Sequence, residues 1–310
     1  MEKDARIFVA GSTGLVGRAL VRKLKGQGYS SIITRSREGL NLLDPRAVDD
    51  FFCRHYIDYV FMAAGKVGGI MANSMSPADF LYENAMMACN VIYTADKYNV
   101  KKLLYLGSSC IYPRDCKQPI EENDLLSGPL EKTNEGYAIA KIAGLKLCEA
   151  YAKQKGRRFI SCMPCNLYGP HDNFDLATSH VIPALIHRFH IAKKTKQDSV
   201  TLWGTGQAKR EFLHVDDAAE GMILLMDHYE GLQTVNLGSG REESIGSLAF
   251  KVKEATGYSG GIDYDRSKPD GTPRKIMTSD KMRSLGFQPK ISLQEGLNQT
   301  YRWAIENEAI

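Results

Sequence analysis

Three observations predict an α/β protein, with a doubly wound parallel sheet and a smaller C-terminal α+β lobe. A glycine-rich turn joins an apolar strand to a helical pattern at the start of the chain. Apolar strands then alternate with helical stretches through about residue 165. Beyond that point the alternation breaks down. Alternation of this kind builds parallel sheets covered by helices. A chain of 310 residues is long enough for two lobes. The expected division is 1–165 for a dinucleotide-binding (Rossmann) domain, to which about 197–240 partly returns. Segments 166–196 and 241–310 are expected to form a substrate-binding lobe.

The first strand is Arg6-Ile7-Phe8-Val9-Ala10. Gly11-Ser12-Thr13-Gly14-Leu15-Val16-Gly17 follows it and opens a helical pattern through Leu20, Val21 and Leu24. Glycines at this GxxGxxG spacing allow a tight turn and a close backbone approach to a pyrophosphate at a helix N-terminus. The second strand, Ser31 to Thr34, ends in Arg35-Ser36-Arg37, where a site for NAD would carry an acidic residue for the ribose hydroxyls. Two guanidinium groups suit a 2′-phosphate, so NADP(H) is the expected cofactor. The alternative is a pair of surface arginines outside the pocket. Asn41 and Leu42 are placed at the adenine edge.

Tyr59 to Gly65 is a buried strand whose small Ala63 and Ala64 stand at the carboxyl end, where open α/β sheets bind ligands. A long helix spans Asp79 to Tyr98. Leu103 to Cys110 is a strand running out through Leu106 and Gly107 into Ser108, Ser109 and Cys110. Phe159 to Met163 is the next strand, ended by Pro164. Asn166 to Pro170 and the next three residues read as a loop, and His180 opens an apolar helix. Strands are expected at Val200 to Gly204 and Thr234 to Gly238, with a helix from about Asp216 to Met226 between them.

Composition narrows the function classes. The chain is 43% hydrophobic and 25% charged, with a net charge of +4 and scattered Lys and Arg, which argues against nucleic-acid binding. No apolar run is long enough to span a bilayer, and the N-terminus lacks a signal peptide's apolar region. Seven cysteines at irregular spacing point to a reducing cytosol rather than a disulfide framework. Cys162 and Cys165 form a CxxC without a second pair of metal ligands, so no metal is expected. His187 and His190 lack nearby carboxylates and read as packing and surface residues.

Tyr137 and Lys141 lie four residues apart in a helical stretch, which puts phenol and ammonium on one face. A cation beside a phenol favours the phenolate and brings its pKa toward neutrality. The spacing alone also fits an ordinary amphipathic helix.

Ser108, Tyr137-x-x-x-Lys141 and the N-terminal GxxGxxG together resemble the extended branch of the short-chain dehydrogenase/reductase superfamily. Longer blocks resemble the GDP-L-fucose synthases: Lys66 to Ile70, Gly107 to Pro113, Tyr137 to Gly144, Asn166 to Phe174, Ser179 to Ala184, Arg210 to Asp217 and Lys268 to Lys275. The resemblance runs nearly end to end. It implies a homodimer and NADPH-dependent conversion of GDP-4-keto-6-deoxy-D-mannose to GDP-L-fucose, by epimerisation at C3 and C5 and reduction at C4. It implies Cys110 as base, His180 as acid, Ser108 and Tyr137 on the C4 oxygen, and Lys141 on the nicotinamide ribose. Cofactor contacts are expected along the glycine turn and at Ala63, Ala64, Leu106, Gly107, Ser108, Lys141, Pro164, Asn166, Leu167 and His180. The nucleotide sugar is expected at Ser109, Asn166, Val181, Arg188, Trp203, Arg210 and Asp270. The chain departs from the family pattern at Ser12-Thr13, where one member of the family carries two large basic residues, and at Cys165, in place of a Thr.

Bland alternatives stand beside these roles. Cys110 suits a buried filler, His180 a helix cap, and Trp203 a core residue. At the level of function, the alternatives are the same chemistry on GDP-4-keto-3,6-dideoxy-D-mannose, giving GDP-L-colitose, and a non-catalytic NADP(H)-binding regulator.

Overall fold

The computed structural model describes residues 1–310, the side chain of Ile70 excepted. The first half alternates as β1 (Ile7–Ala10), α1 (Leu15–Gly26), β2 (Ile32–Thr34), α2 (Pro45–His55), β3 (Tyr59–Met62), α3 (Ile70–Met75), α4 (Pro77–Lys97), β4 (Lys102–Leu106), α5 (Glu135–Lys155) and β5 (Phe159–Pro164). β1, β3, β4 and β5 are buried along their whole length. That is why they read as continuous apolar runs rather than alternating ones. Helix ends follow local chemistry. Asp44 caps α2 by accepting from the Arg46 and Ala47 N–H groups, with Pro45 at the first helical position. Gly156, in the left-handed region, closes α5.

The second half runs β6 (Asn166–Tyr168), α6 (Val181–Lys194), β7 (Ser199–Trp203), β8 (Lys209–His214), α7 (Val215–His228), β9 (Val235–Leu237), β10 (Glu242–Ser244), α8 (Ile245–Thr256), β11 (Gly261–Asp265), β12 (Arg274–Lys275), α9 (Asp280–Ser284) and α10 (Leu293–Glu306). Six strands form a parallel sheet in the order β2-β1-β3-β4-β5-β9. The chain leaves β1 for one side and returns on the other, so the carboxyl end of β1 is a switch point where ligands bind in such sheets.

Two apolar cores result. The larger lies on the six-stranded sheet; the smaller gathers Ile186, Phe189, Leu202, Leu248, Val252 and Leu297. Within 197–240, α7 and β9 join the larger core, while β7 pairs with β11 and β8 with β6, β10 and β12. Met277, Met282 and Phe287 also bury in the larger core. These apolar residues sit in a loop and a single-turn helix, so no periodicity announces them. The segment at Asn166, read as a loop, is the strand β6. Its pairing partner β8 lies more than 40 residues away, which local sequence does not reveal.

Candidate active site

The glycine turn is built so that side chains do not fit. Gly11 has φ +80°, and a Cβ there would stand 2.7 Å from the Ala64 backbone. A Cβ on Gly17 would land on the Gly11 carbonyl. The start of α1 has no side-chain cap, leaving its N-terminus available to an anion. Beside it lies a cavity of about 250 Å³. Gly11, Thr13, Gly14, Ala63 and Ala64 line it, together with Arg35, Arg37, Asn41 and Leu42. Ser12, Leu15, Val16 and Gly17 complete the turn and the first turn of α1. Ser12 Oγ donates to the Arg35 carbonyl at 3.3 Å, tying the turn to the arginine-bearing segment.

Farther along the same sheet edge stand the proton-transfer candidates. Leu106 ends β4, with Gly107, Ser108 and Ser109 after it; Pro164 ends β5, and Asn166 and Leu167 lie in β6. Ser108 Oγ accepts from the Cys110 N–H at 3.2 Å, which sets the half-buried thiol beside the hydroxyl. Tyr137 and Lys141 are buried on α5. Burial pushes the Tyr137 phenol far above its ordinary value; Cys110 acts in the same direction and the Ser108 hydroxyl against it. Lys141 Nζ donates to the Leu106 carbonyl at 2.9 Å and lies 5.8 Å from the Tyr137 ring centroid. Its pKa falls to about 8, by burial first, with Cys162 opposing. The expected cation effect on the phenol is therefore outweighed. The ammonium faces a carbonyl, and desolvation of the phenolate dominates.

His180 precedes α6 at the N-cap position, yet its imidazole makes no capping bond. Capping does not explain it. It is exposed to the cleft, but neighbouring protein desolvates the ring enough to hold its pKa below the ordinary value. Thr178, two residues earlier, accepts from Gly69 N–H at 3.0 Å, which joins this segment to the loop after β3. Val181 begins α6.

Trp203 is 66% exposed, so core packing fails as its explanation. Arg188 donates to the Thr201 carbonyl, two residues from the indole on β7. Asp270 accepts from the Thr205 N–H at 2.6 Å and its hydroxyl at 2.8 Å, in the turn following Trp203. Arg210, half-buried on β8, donates to the Lys209 carbonyl at 2.8 Å. His187 and His190 are engaged by the Phe174 carbonyl and the Tyr301 hydroxyl.

Three participants escaped sequence reading. Asn84, buried on α4, bonds both backbone groups of Lys66 and lies 3.0 Å from where a Gly65 Cβ would stand, next to Lys141 Nζ. Glu83 lines the nucleotide cavity. Glu211, fully buried, accepts from Gly240 and Met277 N–H groups, while its carbonyl takes the Asn166 side chain at 2.9 Å. A carboxylate next to the apolar pair Phe212-Leu213 was the available signal.

The NAD dependent epimerase/dehydratase family model matches residues 7–238. The chain is 54% identical to putative GDP-L-fucose synthase 2 of Arabidopsis thaliana, covering 99% of this chain and 94% of that protein. It is 50% identical to the GDP-L-fucose synthase of Escherichia coli K12, with coverages of 98% and 97%. The chain belongs to the GDP-L-fucose synthase family. A GDP-L-colitose synthase of Yersinia pseudotuberculosis is 36% identical, with coverages of 98% and 99%. A GDP-L-fucose synthetase structure from Naegleria fowleri, bound to NADP, superposes with a TM-score of 0.92 at 29% identity, covering 99% and 96% of the chains. Like its family, the chain carries the nucleotide-binding sheet of an NAD(P)-dependent enzyme.

Proposed function

We propose that the chain is a bifunctional NADPH-dependent 3,5-epimerase and 4-reductase that converts GDP-4-keto-6-deoxy-D-mannose to GDP-L-fucose. The observation that carries this reading is the grouping of Ser108, Cys110, Tyr137 and Lys141 at one sheet edge. The larger lobe takes the cofactor and the smaller lobe the nucleotide sugar, in a cytosolic homodimer. Higher identity to the fucose synthases than to the colitose synthase favours the 6-deoxy substrate.

The glycine turn and the two arginines fit a phosphorylated dinucleotide, because no side chain obstructs the turn and Arg35 and Arg37 border its cavity. When bound, NADPH supplies the hydride for C4. The chain's own residues do the rest. A ketone at C4 acidifies the protons on C3 and C5, because the resulting carbanion delocalises onto oxygen. Ser108 and Tyr137 hydrogen-bond that oxygen as charge develops. Cys110 removes a proton from one face and His180 returns one to the other. A lowered pKa keeps the imidazole mostly neutral at pH 7, so it must first take a proton from solvent, which its exposure permits. In the reductive step the phenol, kept protonated by burial, gives its proton to the C4 oxygen. Lys141 steadies the phenolate left behind. Arg188 and Arg210 take the diphosphate, Trp203 offers a stacking face, and Asp270 fixes the turn next to it.

NADPH oxidation with each purified 4-keto sugar tests this. Turnover with the 6-deoxy sugar is expected. Preference for the 3,6-dideoxy sugar would move the reading to GDP-L-colitose, and turnover of neither would favour a regulator. In Cys110→Ser, solvent deuterium should no longer enter C3 and C5, and normal entry would remove the thiol from the mechanism.

A further inference from the structure

The nucleotide cavity is bordered by a carboxylate, Glu83, that pairs with one of its two arginines. Arg37 is 75% exposed, and its guanidinium lies 3.3 Å from Glu83, which is only 17% exposed. Glu83 is held from the other side by Lys66 Nζ at 2.6 Å, and Lys66 also reaches Asp79 at 3.3 Å. Glu83, Lys66, Arg35 and Arg37 all border the same cavity. A half-buried, anchored carboxylate therefore shares a wall with the cations expected to meet a phosphate.

Arg35 is held differently. It donates to the Thr34 carbonyl at 2.7 Å and to His55 Nε2 at 3.0 Å, with its guanidinium 5.5 Å from the Phe51 ring centroid. His55 Nδ1 lies 2.7 Å from the Phe51 carbonyl, so Nδ1 carries the proton and Nε2 is the acceptor for Arg35. Among the described residues, no carboxylate pairs with Arg35. The acidic competitor acts on Arg37 alone.

We propose that Glu83 is a cofactor-selectivity residue, whose carboxylate competes with the cofactor's 2′-phosphate for Arg37 and lowers the chain's preference for phosphorylated nucleotide. The inference rests on the NADP(H) reading above. A 2′-phosphate drawn to Arg37 must displace or share its partner, and it meets the remaining negative charge at close range. Both effects have the same sign. Lys66 softens the second without removing the first. NADH, lacking the phosphate, is indifferent to either, so Glu83 narrows the gap between the two cofactors.

Calorimetric titration with adenosine 2′,5′-bisphosphate and with 5′-AMP tests this without turnover. Glu83→Gln keeps the shape and one acceptor while removing the charge. It should bind the bisphosphate about threefold to tenfold more tightly, the range expected for one partly screened charge at this separation. Binding of 5′-AMP should stay within about twofold, because the ligand lacks the interacting group. The gain should shrink at high salt and vanish when Arg37→Ala is combined with it. Unchanged or weaker bisphosphate binding in Glu83→Gln would overturn the proposal and make Glu83 a support for Arg37. Wild-type protein that binds both ligands equally would sink the NADP(H) reading by itself. Discrimination appearing only in Glu83→Gln would still support the competitor role, and its failure to appear would sink both.

Discussion

Tyr137 and Lys141 carry opposite burdens from the same burial. The phenol gains from being kept protonated, since its proposed task is to donate a proton. The ammonium loses, since the role proposed for it needs its charge. Tyr137→Phe should cut reduction by about two to four orders of magnitude, the usual range for a general acid, while nucleotide affinity measured by calorimetry holds. Lys141 titrates near 8 in the folded chain against an ordinary 10.5. At pH 7 the buried ammonium costs about 3 kcal/mol relative to the unfolded chain. Between pH 8 and 10.5 the unfolded chain binds more protons, so this group's contribution to stability rises with pH across that window. Lys141→Met should therefore melt several degrees higher at pH 7, by an increment that shrinks as pH approaches 10.5, and should lose reductase activity. A lower melting temperature at pH 7 would show that the bond to Leu106 outweighs desolvation. For the same reason, wild-type reduction should fall as pH climbs past about 8.

At the scale of elements, the turn between β1 and α1 is the most legible part of the chain. Its requirements are local: Gly11 needs a positive φ, and Gly17 must lie against the Gly11 carbonyl. Gly17→Ala should separate α1 from the turn, lower stability by about 1–3 kcal/mol as for overpacking, and abolish calorimetric binding of adenosine 2′,5′-bisphosphate. Retained binding would mean that the turn tolerates a shift. The strand–helix alternation was equally readable, because the buried parallel strands are apolar at nearly every position, Lys102 of β4 and Ser161 of β5 excepted. What stayed hidden depends on distant partners. β6 is a strand only because β8 lies beside it. Glu83 acquires meaning only where α4 meets the segment after β2, 46 residues earlier in sequence. Arg35 and Arg37 were visible as a pair, but the split in their environments was not. Trp203 was ambiguous until its exposure was known.

At the scale of the molecule, α4 and α5 leave an apolar face uncovered. Tyr82, Cys89 and Tyr93 recur at i, i+7 and i+11 on α4, and all are exposed. Ile139 on α5 is 44% exposed, and Leu81, also exposed, lies against Gly136 at the start of the same helix. Tyrosines and aliphatic residues gathered on one face suit a second copy of the chain, with α4 and α5 of each forming a four-helix layer. The consequence for activity comes through α5, because Ile139 sits between Tyr137 and Lys141 in sequence while pointing outward. In the proposed homodimer, covering the outer face of this helix would restrain the inner face that presents phenol and ammonium. Light scattering on the purified protein should give twice the 34.5 kDa chain mass. The pair Tyr93→Glu and Ile139→Glu should give a monomer that remains folded, since neither side chain is in the core. Its reduction rate should fall while adenosine 2′,5′-bisphosphate affinity stays near wild type, because the nucleotide cavity is lined by the segments following β1, β2 and β3 and by Glu83 and Met87 of α4, and by neither Tyr93 nor α5. A fully active monomer would show that α5 needs no partner to hold Tyr137.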